Sequence, residues 1–229
     1  MEDALLGKIL QGTYRIEREI GSGGMGSVYE ASHQRLGKRF AVKVLSPDVA
    51  GSAEALARFR QEALVTSALG NPNIVEVFDF NHMEDGTPYI VMEYLRGEDL
   101  ASRLQRVGRL PLAKAVEIFR QAASALHAAH QKGIIHRDLK PQNVFLSQLD
   151  DRDDYVKIVD FGISKVVGSR HAMTGTHELL GSPSYMSPEQ ALVKASLVDL
   201  RADIFTMGTL VYLMLAGRPP FLADTMPDL

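Results

Sequence analysis

The chain has 229 residues, of which 45% are hydrophobic and 23% charged, with a net charge of −3 at pH 7. These values are typical of a globular protein and disfavour a collagen-like, coiled-coil or disordered chain, and they give no indication of nucleic acid as a partner. No apolar run reaches the roughly 20 residues that span a bilayer. The absence of cysteine removes disulfides and suits a cytoplasmic location, with a membrane tether through sequence beyond Leu229 as the alternative.

The first part of the chain has the period of two that is typical of half-buried strands. After a packed segment at Ala4–Leu10, about five strands are predicted: Tyr14–Ile20, Val28–Ala31, Phe40–Leu45, Asn73–Phe80 and Tyr89–Met92. One helix is predicted among them, over Ser52–Leu69, with its buried face formed by Phe59, Ala63, Thr66 and Leu69.

After Gly97 the period changes to that of amphipathic helices. The helix predicted over Pro111–Lys132 is expected to bury Val116, Phe119, Ala123, Leu126 and His130. The helix predicted over Arg201–Ala216 is expected to bury Ile204, Met207, Val211 and Leu215. With short strands at Val144–Leu146 and Val156–Val159 between them, the pattern predicts an α+β fold with a boundary near residues 93–98.

Two places have some of the residues of a metal site. The acidic turn at residues 150–154 lacks the glycine and the terminal glutamate of a calcium-binding loop, so a solvated hairpin tip is predicted. His127 and His130 are three residues apart on a helix, but no third ligand of suitable spacing follows, so a polar helix end is predicted.

A glycine-rich segment, Gly21-Ser22-Gly23-Gly24-Met25-Gly26, has the spacing G-x-G-x-x-G. In dinucleotide-binding folds this spacing opens a helix, whereas here the alternating Ser27–Glu30 predicts a strand. A glycine-rich hairpin exposes bare backbone N–H groups, which can approach phosphate oxygens closely. By itself the segment is equally consistent with ordinary turn glycines.

Lys43 lies in an apolar strand where alternation would bury it, and a buried ammonium is costly without a partner. Glu62, on the only predicted helix of the first part, is the candidate partner. The pair alone would more often indicate a stabilising ion pair than a catalytic one.

The most informative string is His136-Arg137-Asp138-Leu139-Lys140-Pro141-Gln142-Asn143. Its carboxylate can accept a proton from a hydroxyl, its ammonium can neutralise a phosphoryl group, and its carboxamide oxygen can bind Mg²⁺. Asp160-Phe161-Gly162 follows a short strand and supplies a second hard oxygen ligand. Chance does not explain these strings in this order.

With these motifs the chain resembles the eukaryotic-like (Hanks-type) protein Ser/Thr kinases, most of all their bacterial branch, over about residues 14–221. The resemblance implies a two-lobed kinase fold with an N-lobe at 1–92, a hinge at 93–98 and a C-lobe at 99–229. It also implies ATP and Mg²⁺ (or Mn²⁺) as cofactors, and proteins with Ser or Thr hydroxyls as substrates.

The resemblance assigns roles residue by residue. It makes Asp138 the catalytic base, Lys140 a γ-phosphate contact, and Asn143 and Asp160 the metal ligands. Lys43 would hold the α- and β-phosphates and pair with Glu62. The remaining nucleotide-binding residues would be Ile20, Gly21, Ser22, Gly23, Gly24, Met25, Gly26 and Val28 of the lid, Met92 as gatekeeper, Glu93 to Leu95 of the hinge, and Ala41 and Phe145 against the base.

Lys140 is typical of Ser/Thr rather than tyrosine kinases, and Gly181–Glu189 resembles the substrate-docking loop. Two positions depart from the family pattern there, with Ser182 in place of Thr and Ser187 in place of Ala. Both replacements keep the needed size, so we expect activity to survive.

Arg137 beside Asp138 implies regulation, because the family balances this cation with a phosphorylated activation-loop residue. Lys165 matches a second basic residue of that pocket. Thr176 and then Thr174 are the expected autophosphorylation sites, and a homodimer would allow the reaction in trans. Glu178 could partly substitute for a phosphate, and the two threonines could also be ordinary loop hydroxyls.

Asp203-Ile204-Phe205 resembles the start of the family's long buried helix, where Asp203 would cap amides of the catalytic loop. Further helices follow Phe221 in the family, so the resemblance implies a domain cut short at its C-terminus, with an apolar exposed face on Arg201–Ala216. A non-catalytic nucleotide-binding or scaffolding module and a small-molecule phosphotransferase are the alternatives. The non-catalytic module is disfavoured because the residues expected to act in catalysis are intact: Lys43, Asp138, Asn143 and Asp160. The small-molecule phosphotransferase is disfavoured by Lys140 and by Ser187–Glu189.

Overall fold

The structure is a computed structural model that describes residues 5–149, 152–161, 183–192 and 198–221. Its contacts divide the chain into two units, the first within Met1–Gly70 and Val75–Leu95 and the second within Asn71–Ile74 and Arg96–Leu229. In the described ranges no helix is both long enough and apolar enough to cross a membrane.

The first unit contains an antiparallel sheet of six strands in the order β1-β2-β3-β4-β6-β5. The strands are β1 (Ile9–Leu10), β2 (Tyr14–Gly23), β3 (Gly26–His33), β4 (Arg39–Leu45), β5 (Val77–His82) and β6 (Pro88–Glu93). Five of them match the predicted strands, and the two-residue β1 was not predicted. The strand expected to begin at Asn73 begins at Val77, because Asn73 and Ile74 belong to the second unit.

The alternation along β4 separates two hydrophobic clusters. Phe40, Val42 and Val44 pack on one face of the sheet with side chains from β2, β3 and β6. Leu45 points to the opposite face and packs there with Ile90 and two residues of a helix. Residues two apart in a strand share a face, so Lys43 lies on the same face as Leu45.

That helix is α2 (Ala53–Leu69), which follows a short helix α1 (Pro47–Ala50) that was not predicted. The Ser52 side chain accepts a hydrogen bond from the Ala55 N–H at the start of α2, and Gly70 ends it with φ +60°. The buried residues are Phe59, Ala63, Thr66 and Leu69, so the predicted bounds and buried face are both confirmed.

Tyr89 on β6 is fully buried, and its hydroxyl finds no hydrogen-bond partner among the described residues. An unsatisfied buried hydroxyl costs free energy, so Tyr89→Phe should leave the free energy of unfolding unchanged or raise it by about 1 kcal/mol. Burial also raises the pKa of Tyr89 to about 12. Above pH 10 the unfolded tyrosine ionises first, so the parent should lose stability that Tyr89→Phe retains.

Urea unfolding at pH 8 and at pH 10.5 measures both effects. The exposed Tyr212→Phe is the matched control, since it removes a hydroxyl without changing the core. A loss of more than 1 kcal/mol at pH 8 in Tyr89→Phe would contradict the prediction.

The second unit combines helices with a three-stranded antiparallel sheet in the order β7-β8-β9. Its described elements are β7 (Gly97–Asp99), α3 (Leu100–Val107), α4 (Leu112–Gln131), a 3₁₀ turn at Pro141–Asn143, β8 (Val144–Leu149), β9 (Arg152–Ile158), a 3₁₀ turn at Pro183–Tyr185, α5 (Pro188–Ala191) and α6 (Arg201–Ala216). The sequence predicted α4, β8, β9 and α6 but not β7, α3 or α5.

The predicted buried face of α4 is wrong by about one residue. Val116 and Phe119, expected to be buried, are 55% and 41% exposed. Leu126 is buried as predicted, and the other buried residues are Ala115, Ile118, Ala122, Ala125 and Ala129. Because α4 packs against both β9 and α6, its alanines lie inside, where small side chains allow the backbones to approach closely.

The predicted buried face of α6 is also wrong, except at Met207. Ile204 is 59% exposed, while Thr206, Leu210 and Met214 are buried. This helix is apolar on most sides, so its period carries little information about orientation. The expectation of apolar residues on its exposed face is confirmed at Ile204 and Tyr212.

β8 and β9 form the predicted hairpin, but the acidic residues at its tip are not all solvated. Asp154 is buried and has φ +63°. Its carboxylate forms ion pairs with Arg103 at 2.8 Å and with Lys114 at 3.2 Å. These contacts tie β9 to α3 and the start of α4. For Asp154 the prediction of a solvated tip is therefore wrong.

Candidate functional site

The glycine-rich segment forms a hairpin between β2 and β3. Gly23 pairs with Gly26, which leaves Gly24 and Met25 as a two-residue turn. The segment therefore leads into a strand, as predicted, and does not have the strand-to-helix arrangement of a dinucleotide fold.

The glycines of this hairpin differ in what surrounds them. A Cβ on Gly26 would lie 2.0 Å from the Val44 carbonyl oxygen, so the neighbouring strand alone excludes any side chain there. A Cβ on Gly21, Gly23 or Gly24 would meet nothing within 4 Å. No packing contact accounts for these three, and their bare backbone is open to a ligand that approaches closely.

Lys43 and Glu62 form the predicted pair. The Lys43 ammonium lies 2.7 Å from the Glu62 carboxylate, and the two side chains are only 11% and 13% exposed. The contact joins β4 to α2, because the alternation of β4 turns Lys43 towards the helix. A charge pair so largely removed from water is held in one geometry.

The register of the sheet collects other candidate nucleotide-binding residues on this face. Val28 pairs with Lys43, and Ala41 pairs with Met92. Directly opposed residues of antiparallel strands have their side chains on the same side of the sheet. Val28, Ala41, Lys43 and Met92 therefore share one face, with apolar side chains on either side of the ammonium.

The chain leaves β6 at Glu93, which is held in place by Glu76. The Glu93 N–H donates to the Glu76 carbonyl at 3.0 Å, and the Glu93 carboxylate accepts from the Glu76 N–H at 2.8 Å. Leu95 follows as the last residue of the first unit. Ile20, on β2 before the glycines, is exposed, whereas Phe145 belongs to the second unit and is half-buried on β8.

The loop from His136 to Asn143 is anchored by a buried carboxylate. Asp203 of α6 accepts hydrogen bonds from the His136 N–H at 2.9 Å and the Arg137 N–H at 3.0 Å, as predicted. It also lies 2.7 Å from His130 Nε2 on α4. His130 is thus the polar helix end that was predicted, and its partner is the residue that anchors the loop.

The side chain of His136, the first residue of this loop, is fully buried. Burial lowers the pKa of His136, so the ring is neutral. Its Nδ1 accepts from the Asp138 N–H at 3.3 Å, so Nε2 carries the proton and faces the Val159 carbonyl at 3.3 Å. The ring also lies 4.7 Å from that of Phe161, centroid to centroid. His136 therefore joins the loop to the segment that follows β9.

Asp138, Lys140 and Asn143 are brought together by the loop. The Lys140 ammonium is 3.4 Å from the Asp138 carboxylate, and both side chains are partly exposed. Asn143 is buried, and its Nδ2 donates to the Asp138 carbonyl at 2.8 Å. This bond commits the amide nitrogen and turns the carboxamide oxygen of Asn143 the other way.

The residue before Asp160 forms a hydrogen bond with this loop. The Val159 N–H donates to the Asn143 carbonyl at 3.0 Å, and Asp160 then takes the left-handed region with φ +53°. Phe161 turns back into the core and is buried. Asp160 itself is exposed.

The side-chain oxygens of Asn143 and Asp160 suit a hard cation such as Mg²⁺, which prefers oxygen ligands. In proteins several of the oxygens around Mg²⁺ usually belong to water or to phosphate groups. Residues 5–149, 152–161, 183–192 and 198–221 hold no group of three or more His, Asp or Glu that could bind a metal by themselves. Mg²⁺ is commonly held by one or two protein oxygens together with phosphate oxygens, and the side chains of Asn143 and Asp160 suit such an arrangement.

A further contact that the sequence did not predict reaches the loop from α5. The Gln190 amide nitrogen donates to the Arg137 carbonyl at 2.7 Å. No local pattern marks this glutamine, since its partner lies 53 residues away. Several predicted residues fall outside the described ranges: Gly162, Lys165, Thr174, Thr176, Glu178 and Ser182.

Comparison with known proteins agrees with this geometry. The family model of the protein kinase domain matches residues 14–228. Serine/threonine-protein kinase pkn3 of Myxococcus xanthus is 40% identical over 226 residues, which are 97% of this chain and 41% of pkn3. Serine/threonine-protein kinase PknA of Mycobacterium tuberculosis is 40% identical over 223 residues, 96% of this chain and 50% of PknA.

Among solved structures, the crystal structure of the Mycobacterium tuberculosis PknI kinase domain superposes with a TM-score of 0.73 at 31% identity. The match covers 98% of this chain and 81% of that domain. The chain therefore belongs to the protein kinase family and has the protein kinase fold, and the two curated relatives named above are bacterial serine/threonine-protein kinases. It spans half or less of the length of the curated relatives named above.

Proposed function

We propose that the chain transfers the γ-phosphoryl group of ATP to Ser and Thr hydroxyls of proteins. The observation that carries this proposal is the loop from His136 to Asn143, which presents a carboxylate, an ammonium and a carboxamide from one buried anchor on Asp203. Phosphoryl transfer needs these three groups fixed relative to one another, because its catalysis is largely positioning and charge stabilisation.

Asp138 acts as the base in this reaction. Its carboxylate is partly exposed at the loop and accepts the proton of the substrate hydroxyl, whose oxygen then bonds to the phosphorus as the bond to ADP breaks. Lys140, 3.4 Å from that carboxylate, supplies a positive charge for the oxygens of the transferred group.

Asn143 and Asp160 would hold the divalent cation, Mg²⁺ or Mn²⁺, when ATP is bound. When bound, the cation neutralises negative charge on the phosphate oxygens of ATP. The proposal is supported by the orientation of Asn143, whose nitrogen is committed to the Asp138 carbonyl, and by the exposure of Asp160.

Most of the proposed nucleotide contacts come from the first unit. Lys43, fixed by Glu62, contacts the α- and β-phosphates, while the open backbone of Gly21, Gly23 and Gly24 covers the phosphates. Apolar contacts to the base come from Val28, Ala41, Met92 and Phe145, with hinge hydrogen bonds from Glu93 to Leu95. In this proposal residues 1–92 form the N-lobe, 93–98 the hinge and 99–229 the C-lobe.

Regulation follows from the same proposal. Autophosphorylation of Thr176 or Thr174, in trans between two copies of the chain, places a phosphate near Arg137 and raises activity. The requirement for ATP and the absence of cysteine support a cytoplasmic location.

Incubation of the chain with ATP, Mg²⁺ and protein substrates tests the proposal. We expect phosphoserine and phosphothreonine, no phosphotyrosine, and no transfer when EDTA removes the cation. Phosphopeptides should contain Thr174 or Thr176, and the Thr174→Ala/Thr176→Ala double variant should lose activity about tenfold.

Each alternative has its own signature in this assay. ATP binding without transfer would indicate a non-catalytic module, and transfer only to small molecules would indicate a different phosphotransferase. Full activity in the double threonine variant would contradict the proposed regulation alone.

A further inference from the structure

The peptide unit between Arg137 and Asp138 is held at both of its polar atoms. Its carbonyl oxygen accepts from Gln190 Nε2 at 2.7 Å, and its N–H donates to His136 Nδ1 at 3.3 Å. Because a peptide unit is planar, fixing both atoms fixes the orientation of the whole plane. That plane ends at the Cα of Asp138 and so sets the direction from which its side chain leaves the loop.

Holding this peptide in place matters because the backbone before it is strained. Arg137 has φ +64°, a region that costs free energy for a residue with a side chain. Without its restraints the peptide could relax to a more common conformation and turn the Asp138 carboxylate with it. The next peptide is fixed separately, by Asn143 Nδ2 on the Asp138 carbonyl at 2.8 Å.

The hydrogen bond from Gln190 differs from the other restraints, because Gln190 belongs neither to the loop nor to α6, which carries the anchor Asp203. We call residues Ser187–Ala191, which comprise α5 and the residue before it, the docking segment. Within it, Gln190 Oε1 accepts from the Ser187 N–H at 3.2 Å and from the Ser187 hydroxyl at 3.1 Å. Ser187 is fully buried, so its two donors fix the oxygen end of the amide.

One amide group thus connects two parts of the second unit. Its oxygen is bound to the docking segment, and its nitrogen is bound to the peptide that carries Asp138. The oxygen and nitrogen lie on the same carbon, so a displacement of the docking segment displaces the donor to the Arg137 carbonyl directly.

We propose that Gln190 is a positioning residue for Asp138, which makes the alignment of the proposed base depend on the placement of the docking segment. The inference rests on the proposed function in assigning Asp138 as the base. Misplacement of a reacting group by about 1 Å can cost about a hundredfold in rate, so a single restraint on this peptide is sufficient to affect turnover.

Two variants separate the donor from the rest of the side chain. Gln190→Glu keeps the size and the acceptors for Ser187 but replaces the donor to the Arg137 carbonyl with a carboxylate oxygen. Gln190→Met keeps the approximate length and removes all three side-chain hydrogen bonds, the two from Ser187 and the one to Arg137. Gln105→Glu makes the same change in charge at an exposed position of α3 and serves as the control.

Steady-state kinetics with a Ser-containing peptide and Mg²⁺-ATP give the first measurement. Both Gln190 variants should lower kcat by about tenfold to a hundredfold, with KM for ATP within about twofold of the parent. Gln105→Glu should match the parent. A higher KM for the peptide with unchanged kcat would overturn the proposal, since it would assign Gln190 to binding rather than positioning.

The second measurement is amide hydrogen exchange over residues 136–139 in the absence of nucleotide. Exchange should be about fivefold faster or more in both Gln190 variants and unchanged in Gln105→Glu. This measurement does not depend on activity. If the parent transferred no phosphate, the proposed function would fail, while faster exchange would still support the restraint and unchanged exchange would overturn it.

Discussion

Asp138→Asn should lower kcat for peptide phosphorylation by about 10²- to 10⁴-fold, with little change in ATP affinity. The carboxamide keeps the size of the side chain but cannot accept the proton of a substrate hydroxyl at neutral pH. The backbone contacts of residue 138, to His136 and Asn143, do not involve the carboxylate and should persist. The loss should therefore fall on turnover rather than on folding.

Three measurements on the purified chain check this result: peptide phosphorylation, ATP binding by calorimetry and the thermal midpoint of unfolding. Asp153→Asn, an equivalent change at an exposed position of β9, is the control and should behave as the parent. Retention of more than about a tenth of the parental kcat by Asp138→Asn would contradict the assignment of Asp138 as the base.

Lys43→Met should lower kcat/KM for ATP by about 10²- to 10³-fold, the range found when one preorganised charge contact to the reacting group is removed. It should also destabilise the first unit. The largely buried Glu62 carboxylate loses the ammonium at 2.7 Å, and loss of one partner of such a pair costs about 3 kcal/mol.

The double variant Lys43→Met/Glu62→Leu separates these two effects. Replacing both charges by apolar side chains removes the cost of a carboxylate without its cation, so the free energy of unfolding should return to within about 1 kcal/mol of the parent. Activity should stay as low as in Lys43→Met. Recovery of activity along with stability would show that Lys43 acts only through folding. Urea unfolding and the peptide assay make the comparison.

Much of the first unit was predictable because its determinants are local. The alternation in β4 identified Lys43 as a buried cation, and the helical period of α2 identified Phe59 and Ala63 as core residues. Glu62 followed as the partner because it lies on the only helix predicted there. A period of two or 3.6 sets which side chains share a face.

The same reasoning was wrong about which residues of one long helix are buried. In α4 it selected Val116 and Phe119, whereas the protein buries Ala115 and Ile118, each one position away. Hydrophobicity measures the tendency to leave water, but the face chosen also depends on how closely the neighbouring elements can approach.

The sequence by itself determined the chemical groups of the candidate site and the elements that carry them: the glycine hairpin, Lys43 with Glu62, Asp138, Lys140, Asn143 and Asp160. Only the tertiary structure decided how the loop around Asp138 is held. Asp203 is 67 residues from His136 in sequence, and Gln190 is 53 residues from Arg137. Local periodicity carries no information about such distant partners, because a hydrogen bond between them exists only after the intervening chain has packed.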